Sequence, residues 1–294
     1  MRGEPPDARS ESALRRRILL RLLLLVSISG LLLAAGYGFF VRTAAGQALD
    51  DAGYFGRMPQ ERVLKAYDNE ILGMVRKNVI LIAAGVVLVF AAIRRRFLDG
   101  MIVLAGAAMA IEGAEILKHV LYRPELVKPG GPMPAYFVGD TYPSGHTSVA
   151  TSFALAVVLL MPAAWRFASA VLAGFVSASY ATGVLFAGWH RPSDALGGIF
   201  WTLFCLGLAA LFLVAIRRHD WDPPPRMGVR WMLPVIPGAA VALWLAMVFA
   251  GATPGAPGGV FVVMTAAILA ASFAAPLCLA VALQGGDGGR PGAG

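Results

Sequence analysis

The chain has 294 residues, of which 58% are hydrophobic and 14% charged, and its mean hydropathy is +0.69. This composition excludes an ordinary soluble domain and places the chain among membrane proteins. The net charge of +8 does not require a nucleic-acid partner: the arginines stand in short clusters at the ends of apolar runs, where membrane topology and anionic headgroups account for them. Cys205 and Cys278 lie in apolar segments, the setting of small buried hydrophobes rather than of a disulfide or a metal pair.

Residues 1–13 are polar and contain Pro5-Pro6, which reads as a disordered tail. An apolar run over 18–41 follows Arg15, Arg16 and Arg17. The small residues after Thr43 would suit a signal-peptide cleavage site, but a run of roughly 20 apolar residues exceeds a signal h-region and reads as a retained anchor. Further runs cover 78–93, 100–121, 147–162, 167–188 and 195–216, each near the roughly 20 residues that a spanning helix needs. These make a six-helix membrane domain over 14–218. A Pro-rich linker occupies 219–230, two more helices are expected at 231–250 and 260–283 within a module over 231–284, and 285–294 reads as a flexible tail. The expected class is all-α: a polytopic membrane helix bundle with a six-helix core and two extra C-terminal transmembrane helices.

Cytoplasmic loops carry the excess of Lys and Arg. With alternating helices, the clusters at Arg15 to Arg17, Arg94 to Arg96 and Arg217-Arg218 all fall on one side, and Arg166 agrees. The expectation is a multi-pass protein of the cell membrane with a cytoplasmic N-terminus and with loops 42–77, 122–146 and 189–194 outside.

Two of the four histidines sit in polar motifs at outer helix ends. His146 lies in Tyr142-Pro143-Ser144-Gly145-His146-Thr147-Ser148. Ser144 is a natural N-cap and Gly145 admits a ligand close to the backbone, so free N–H groups and the helix dipole favour an anion there. Locally, a simply capped helix fits as well. His190 lies in Gly188-Trp189-His190-Arg191-Pro192-Ser193-Asp194. With Pro192 in the first turn of the next helix, Asp194 comes within reach of the His190 Nδ1–H, which fixes the tautomer and frees Nε2 as a nucleophile. The competing reading is a His–Asp pair that only locks a helix end. Lys118 and Arg123 end the third spanning helix, placed either to snorkel to headgroups or to hold an anion. Glu115, three residues before Lys118, is expected to neutralise and position it.

These residues resemble the three signatures of the type 2 phosphatidic acid phosphatase superfamily: Lys followed by Arg-Pro, then Pro-Ser-Gly-His, then an Arg-containing stretch ending in His-x-x-x-Asp. Here they stand as Lys118 with Arg123-Pro124, Pro143-Ser144-Gly145-His146, and His190 to Asp194, within residues 70–216. Two departures matter. The usual spacing from Lys to Arg-Pro is longer, and its expected positions hold Glu125-Leu126. The Ser-Arg pair that normally precedes the histidine is replaced by Gly183-Val184, so a phosphate-binding arginine is missing, and Arg191 either substitutes for it or only anchors the chain at the interface. The resemblance implies that His190 attacks phosphorus, His146 protonates the leaving oxygen, Asp194 orients His190, and Lys118, Arg123, Ser144, Gly145 and Arg191 hold the phosphate. It implies no metal or other cofactor. The partners it implies are membrane lipids and a lipid phosphate substrate: phosphatidic acid, phosphatidylglycerophosphate, or a polyprenyl phosphate or diphosphate, with analogy putting the polyprenyl class first. It leaves two alternatives, a vanadate-dependent haloperoxidase-like enzyme and a non-catalytic lipid-binding or transport protein.

Overall fold

The structure, a computed structural model, describes residues 8–57, 72–128, 141–216 and 257–284. Among them are eight α-helices and no strand: α1 (Ala8–Gly36), α2 (Ala44–Phe55), α3 (Lys77–Ile93), α4 (Phe97–Val120), α5 (Gly145–Leu160), α6 (Ala163–Phe186), α7 (Pro192–Ile216) and α8 (Pro257–Ala282). A π-helical turn, Tyr37–Val41, continues α1, and a 3-10 turn, Leu72–Met74, precedes α3. The fold is an all-helical polytopic bundle. Five helices are long and apolar enough to cross a membrane, within Glu11–Val41, Phe97–Val120, Ala163–Phe186, Pro192–Ile216 and Gly258–Ala282, while α3 and α5 are shorter apolar helices.

Each of the six apolar runs up to residue 216 contains a helix, and α8 is the second of the two expected additions. The other, over 231–250, lies outside the described residues, as do the linker 219–230, Arg217-Arg218 and the tail 285–294. Two expectations need correction. Helix α1 begins at Ala8, inside the expected tail: past Pro5-Pro6 nothing blocks a helix, and Glu11 in the first turn complements its dipole. The 42–77 segment, read only as a loop, contains α2. Its start is capped by Thr43, whose Oγ1 accepts from the Gly46 N–H at 3.0 Å.

Helix α7 runs through the middle of the bundle against α1, α4 and α5, while α8 packs chiefly on α6 and also reaches α7, α5 and α2. Leu155, Leu185, Ile199, Leu206, Ile268 and Leu279 are fully buried in or beside this centre. Lipid is as apolar as leucine, so these contacts stabilise by close packing rather than by excluding water, and small residues matter: a Cβ on Gly106 of α4 would sit 2.8 Å from Ala209 of α7.

The two ends of the bundle differ in charge. At one end, arginines donate to carbonyls that the helix termini leave without partners: Arg15 Nε to Val214 O at 3.1 Å, Arg94 Nη1 to Leu160 O at 3.0 Å, Arg21 Nη1 to Gln284 O at 2.9 Å. At the other end the starts of α5 and α7 meet the end of α4, with α2 packed beside them.

Candidate active site

Two helix starts build one half of the site. Ser144 caps α5, its Oγ accepting from the Thr147 N–H at 3.4 Å, and its own N–H donates to the Asp194 carbonyl at 2.8 Å, which ties this turn to the start of α7. Pro192 is the first residue of α7, as its fixed φ and missing N–H favour. Asp194 follows in the first turn, where the dipole stabilises a carboxylate. Its Oδ2 accepts from the Arg191 N–H at 3.1 Å and lies 3.3 Å from His190 Nδ1. With Nδ1 protonated, His190 Nε2 keeps its lone pair. The His146 and His190 rings stand with centroids 6.4 Å apart, and Trp189 meets His146 edge-on at 5.0 Å.

Helix α4 closes on this half from the side. Lys118 Nζ bonds Glu115 Oε1 at 2.7 Å, the pairing expected from their i,i+3 spacing. Gly145 is what lets α4 approach: a Cβ there would overlap Glu115 Oε1 and lie 3.2 Å from Lys118 Nζ. Lys118, Ser144, Gly145, His146, His190 and Asp194 thus come together as the sequence placed them, on helix ends separated by up to 76 residues of chain.

The other half comes from α2. Asp50 accepts from Arg123 Nη1 at 2.9 Å, from the Ser193 N–H at 2.9 Å and from Ser193 Oγ at 2.6 Å. Asp51 accepts from Arg191 Nε at 2.7 Å and lies 4.0 Å from Arg123 Nη2. Burial pushes the Asp50 carboxyl up to about 6; Arg123 opposes that shift, Asp194 adds to it, and Ser193 opposes it. Asp50 is therefore ionised at neutral pH and takes up a proton near pH 6. Arg123 and Arg191 are at the site, but their guanidinium groups face these aspartates.

Three more α2 contacts fasten this half. Gln47 donates to the Val41 and Pro124 carbonyls, at 2.9 and 2.6 Å, and accepts from the Leu126 N–H at 3.2 Å. Tyr54 donates its hydroxyl to the Gly188 carbonyl at 3.1 Å. Just past the helix, Arg57 donates to the Tyr54 carbonyl at 2.7 Å and to its hydroxyl at 3.0 Å, with the guanidinium carbon 3.7 Å above the Tyr54 ring. Helix α8 supports α2 from below: Met264 and Pro192 flank Gly53, where a Cβ would lie 2.9 Å from Pro192 Cγ. Gln47, Asp50, Asp51, Tyr54 and Arg57 stand in no motif of the sequence. The only local signal was two adjacent carboxylates in a stretch otherwise poor in charge.

A family model described as the PAP2 superfamily matches residues 99–218, which include α4 from its third residue, all of α5 to α7 and both histidine motifs. Among solved structures the chain is similar to a transmembrane PAP2-type phosphatidylglycerolphosphate phosphatase from Bacillus subtilis, at 21% identity and a TM-score of 0.48, covering 68% of this chain and 99% of that one. No curated protein matches the chain.

Proposed function

We propose, from the match of residues 99–218 to the PAP2 superfamily model, that the chain is a membrane phosphatase that hydrolyses a lipid phosphate monoester or diphosphate through a phosphohistidine at His190. The observation that carries the reading is the paired imidazoles: His190 held by Asp194 at 3.3 Å, His146 facing it with ring centroids 6.4 Å apart, and Lys118 beside Gly145.

In the first step His190 Nε2 forms a bond to phosphorus while the bond to the leaving oxygen breaks, and that oxygen takes the His146 proton. In the second, a water oxygen attacks phosphorus, its proton passes to His146, and the P–N electron pair returns to Nε2. Inorganic phosphate and the lipid alcohol, or the lipid monophosphate from a diphosphate, are released. Burial, and after it the neighbouring His190 and Lys118 charges, disfavour the imidazolium form of His146, so a charged His146 depends on the negative charge of the substrate itself. The N–H groups at the start of α5, the Ser144 hydroxyl, Lys118, Arg123 and Arg191 border the phosphate. No metal takes part in this scheme.

An apolar cavity of about 240 Å³ lies between α1 and α7, lined in part by Leu32, Phe40, Tyr142, Ser193 and Phe200. It suits a substrate whose tail stays in the bilayer, with the site at the extracytoplasmic face of a multi-pass cell-membrane protein. The test is phosphate release in detergent micelles from phosphatidic acid, phosphatidylglycerophosphate, and polyprenyl phosphate and diphosphate. The wild type is expected to form an acid-labile, base-stable phosphoenzyme, and His190→Ala to abolish both it and turnover. Turnover that survives His190→Ala would sink the proposal.

A further inference from the structure

The cations gathered at the site differ in whether their charge is already balanced. Lys118 is paired with Glu115, Arg123 with Asp50, Arg191 with Asp51, and His190 with Asp194. Arg57 has no carboxylate partner among the described residues. It is only 6% exposed, its bonds go to one carbonyl and one hydroxyl of Tyr54, and its buried Nε finds no acceptor among those residues. A buried, unpaired charge is costly and persists where a ligand supplies the counter-charge.

Its position indicates which ligand. The guanidinium lies against Gly188, two residues before His190. Gly188 has φ +73, a left-handed conformation that favours glycine, and a Cβ there would overlap Arg57 Nη2. Tyr54 completes the link, its hydroxyl accepting from Arg57 Nη2 and donating to the Gly188 carbonyl. The turn that presents His190 is therefore shaped around this guanidinium.

We infer that Arg57 is a phosphate-binding residue: the guanidinium, delivered by the C-terminal end of α2, that offsets the charge of a phosphoryl group at His190. For the identity of the anion this rests on the phosphatase reading above. Phosphoryl transfer spreads negative charge over three equatorial oxygens, and a preorganised planar donor beside them is effective because it needs no rearrangement during the reaction. Arg123 and Arg191 cannot match it, since each must share its charge with an aspartate.

The test titrates purified wild-type protein and Arg57→Gln with orthovanadate and with inorganic phosphate, read by tryptophan fluorescence, and measures lipid phosphate hydrolysis and thermal unfolding in parallel. Arg57→Gln is expected to weaken orthovanadate binding by about tenfold or more and to lower kcat/KM by about a hundredfold, with Arg57→Lys recovering part of both. Should Arg57→Gln not fold, Arg57→Met, which keeps the apolar stem over Tyr54, carries the same test. Orthovanadate binding equal to wild type in a folded variant overturns the inference, even where the melting temperature falls, because that result leaves Arg57 only a packing role on Tyr54. Wild-type protein that binds neither anion overturns it too. Anion binding that depends on Arg57, in a protein that hydrolyses none of the lipids, supports the inference while refuting the phosphatase reading.

Discussion

The two halves of the site are built by different means. The α5 and α7 half is assembled within short stretches of sequence: Ser144 caps its own helix three residues ahead, and Asp194 reaches a histidine four residues back. The α2 half is assembled across the chain, with Asp50 bonding Arg123 at a separation of 73 residues and Ser193 at 143. The first half carries the two imidazoles and the second the ion pairs packed against them. A motif can therefore be complete while the electrostatics around it depend on a helix outside every motif. Substitutions in the two halves should separate these contributions.

The largest effect is expected at Asp50. Asp50→Ala leaves Arg123 and the Ser193 donors buried without an acceptor, and breaking a buried pair from one side costs about 3–5 kcal/mol. Thermal unfolding in detergent should show a larger drop for it than for Gly188→Ala, Ser144→Ala or Glu115→Gln, with phosphate release falling as well. An Asp50→Ala protein as stable as wild type would reduce α2 to an accessory. The same carboxyl sets a pH dependence. The folded chain holds the Asp50 proton to about pH 6, against 3.8 as its ordinary value, so the folded state binds more protons between those two values. The part of the stability that is linked to Asp50 protonation is fully present below 3.8 and is lost as pH rises through about 6, while the bonds to Arg123 and Ser193 hold the ionised carboxylate above it. Asp50→Asn should flatten the unfolding temperature over that window.

How much of this was legible follows from the same contrast. The apolar runs announced six core helices and α8 because a bilayer demands long uninterrupted hydrophobic segments, whatever the rest of the chain does. The histidine motifs could be read because capping and the Pro192–Asp194 turn are local. Helix α2 was missed because Ala, Gly and Gln within an outer loop carry no membrane-length signal, and its Thr43 cap looked like one more polar loop residue. Arg123 and Arg191 stand next to the motifs in sequence, but their partners do not: which carboxylate meets which guanidinium is decided by packing between α2, α7 and the segment after α4. For the guanidinium absent at Val184, the neighbour of His190 in sequence is Arg191, whereas Arg57 meets the His190 turn only through space, at Gly188.

Gly188 joins the halves, and its substitution ranks next. Gly188→Ala places a side chain at φ +73 and against Arg57 Nη2, a strain of about 1–3 kcal/mol. Because the turn leads directly into His190, kcat/KM should fall by about tenfold or more, while Asp194 still holds the imidazole. Ser144→Ala should then cost about 1 kcal/mol, the usual worth of an N-cap. Unfolding measurements on both variants rank the local cap against the cross-chain contact, and a larger loss for Ser144→Ala would invert the comparison.

The smallest effect is expected where the pairing faces solvent. The Glu115 side chain is 55% exposed and that of Lys118 18%, so their 2.7 Å bond is screened in a way the Asp50 and Asp51 pairs are not. Glu115→Gln should change stability by no more than about 0–1 kcal/mol. Its informative consequence lies in binding: Lys118, released from a carboxylate, has its full charge for an incoming phosphate, and KM for the lipid phosphate should fall slightly or hold while kcat stays near wild type. A large loss of stability at Glu115 would mean that the α4 edge of the site is as tightly coupled as the α2 edge, and that exposure does not separate the two kinds of ion pair in this protein.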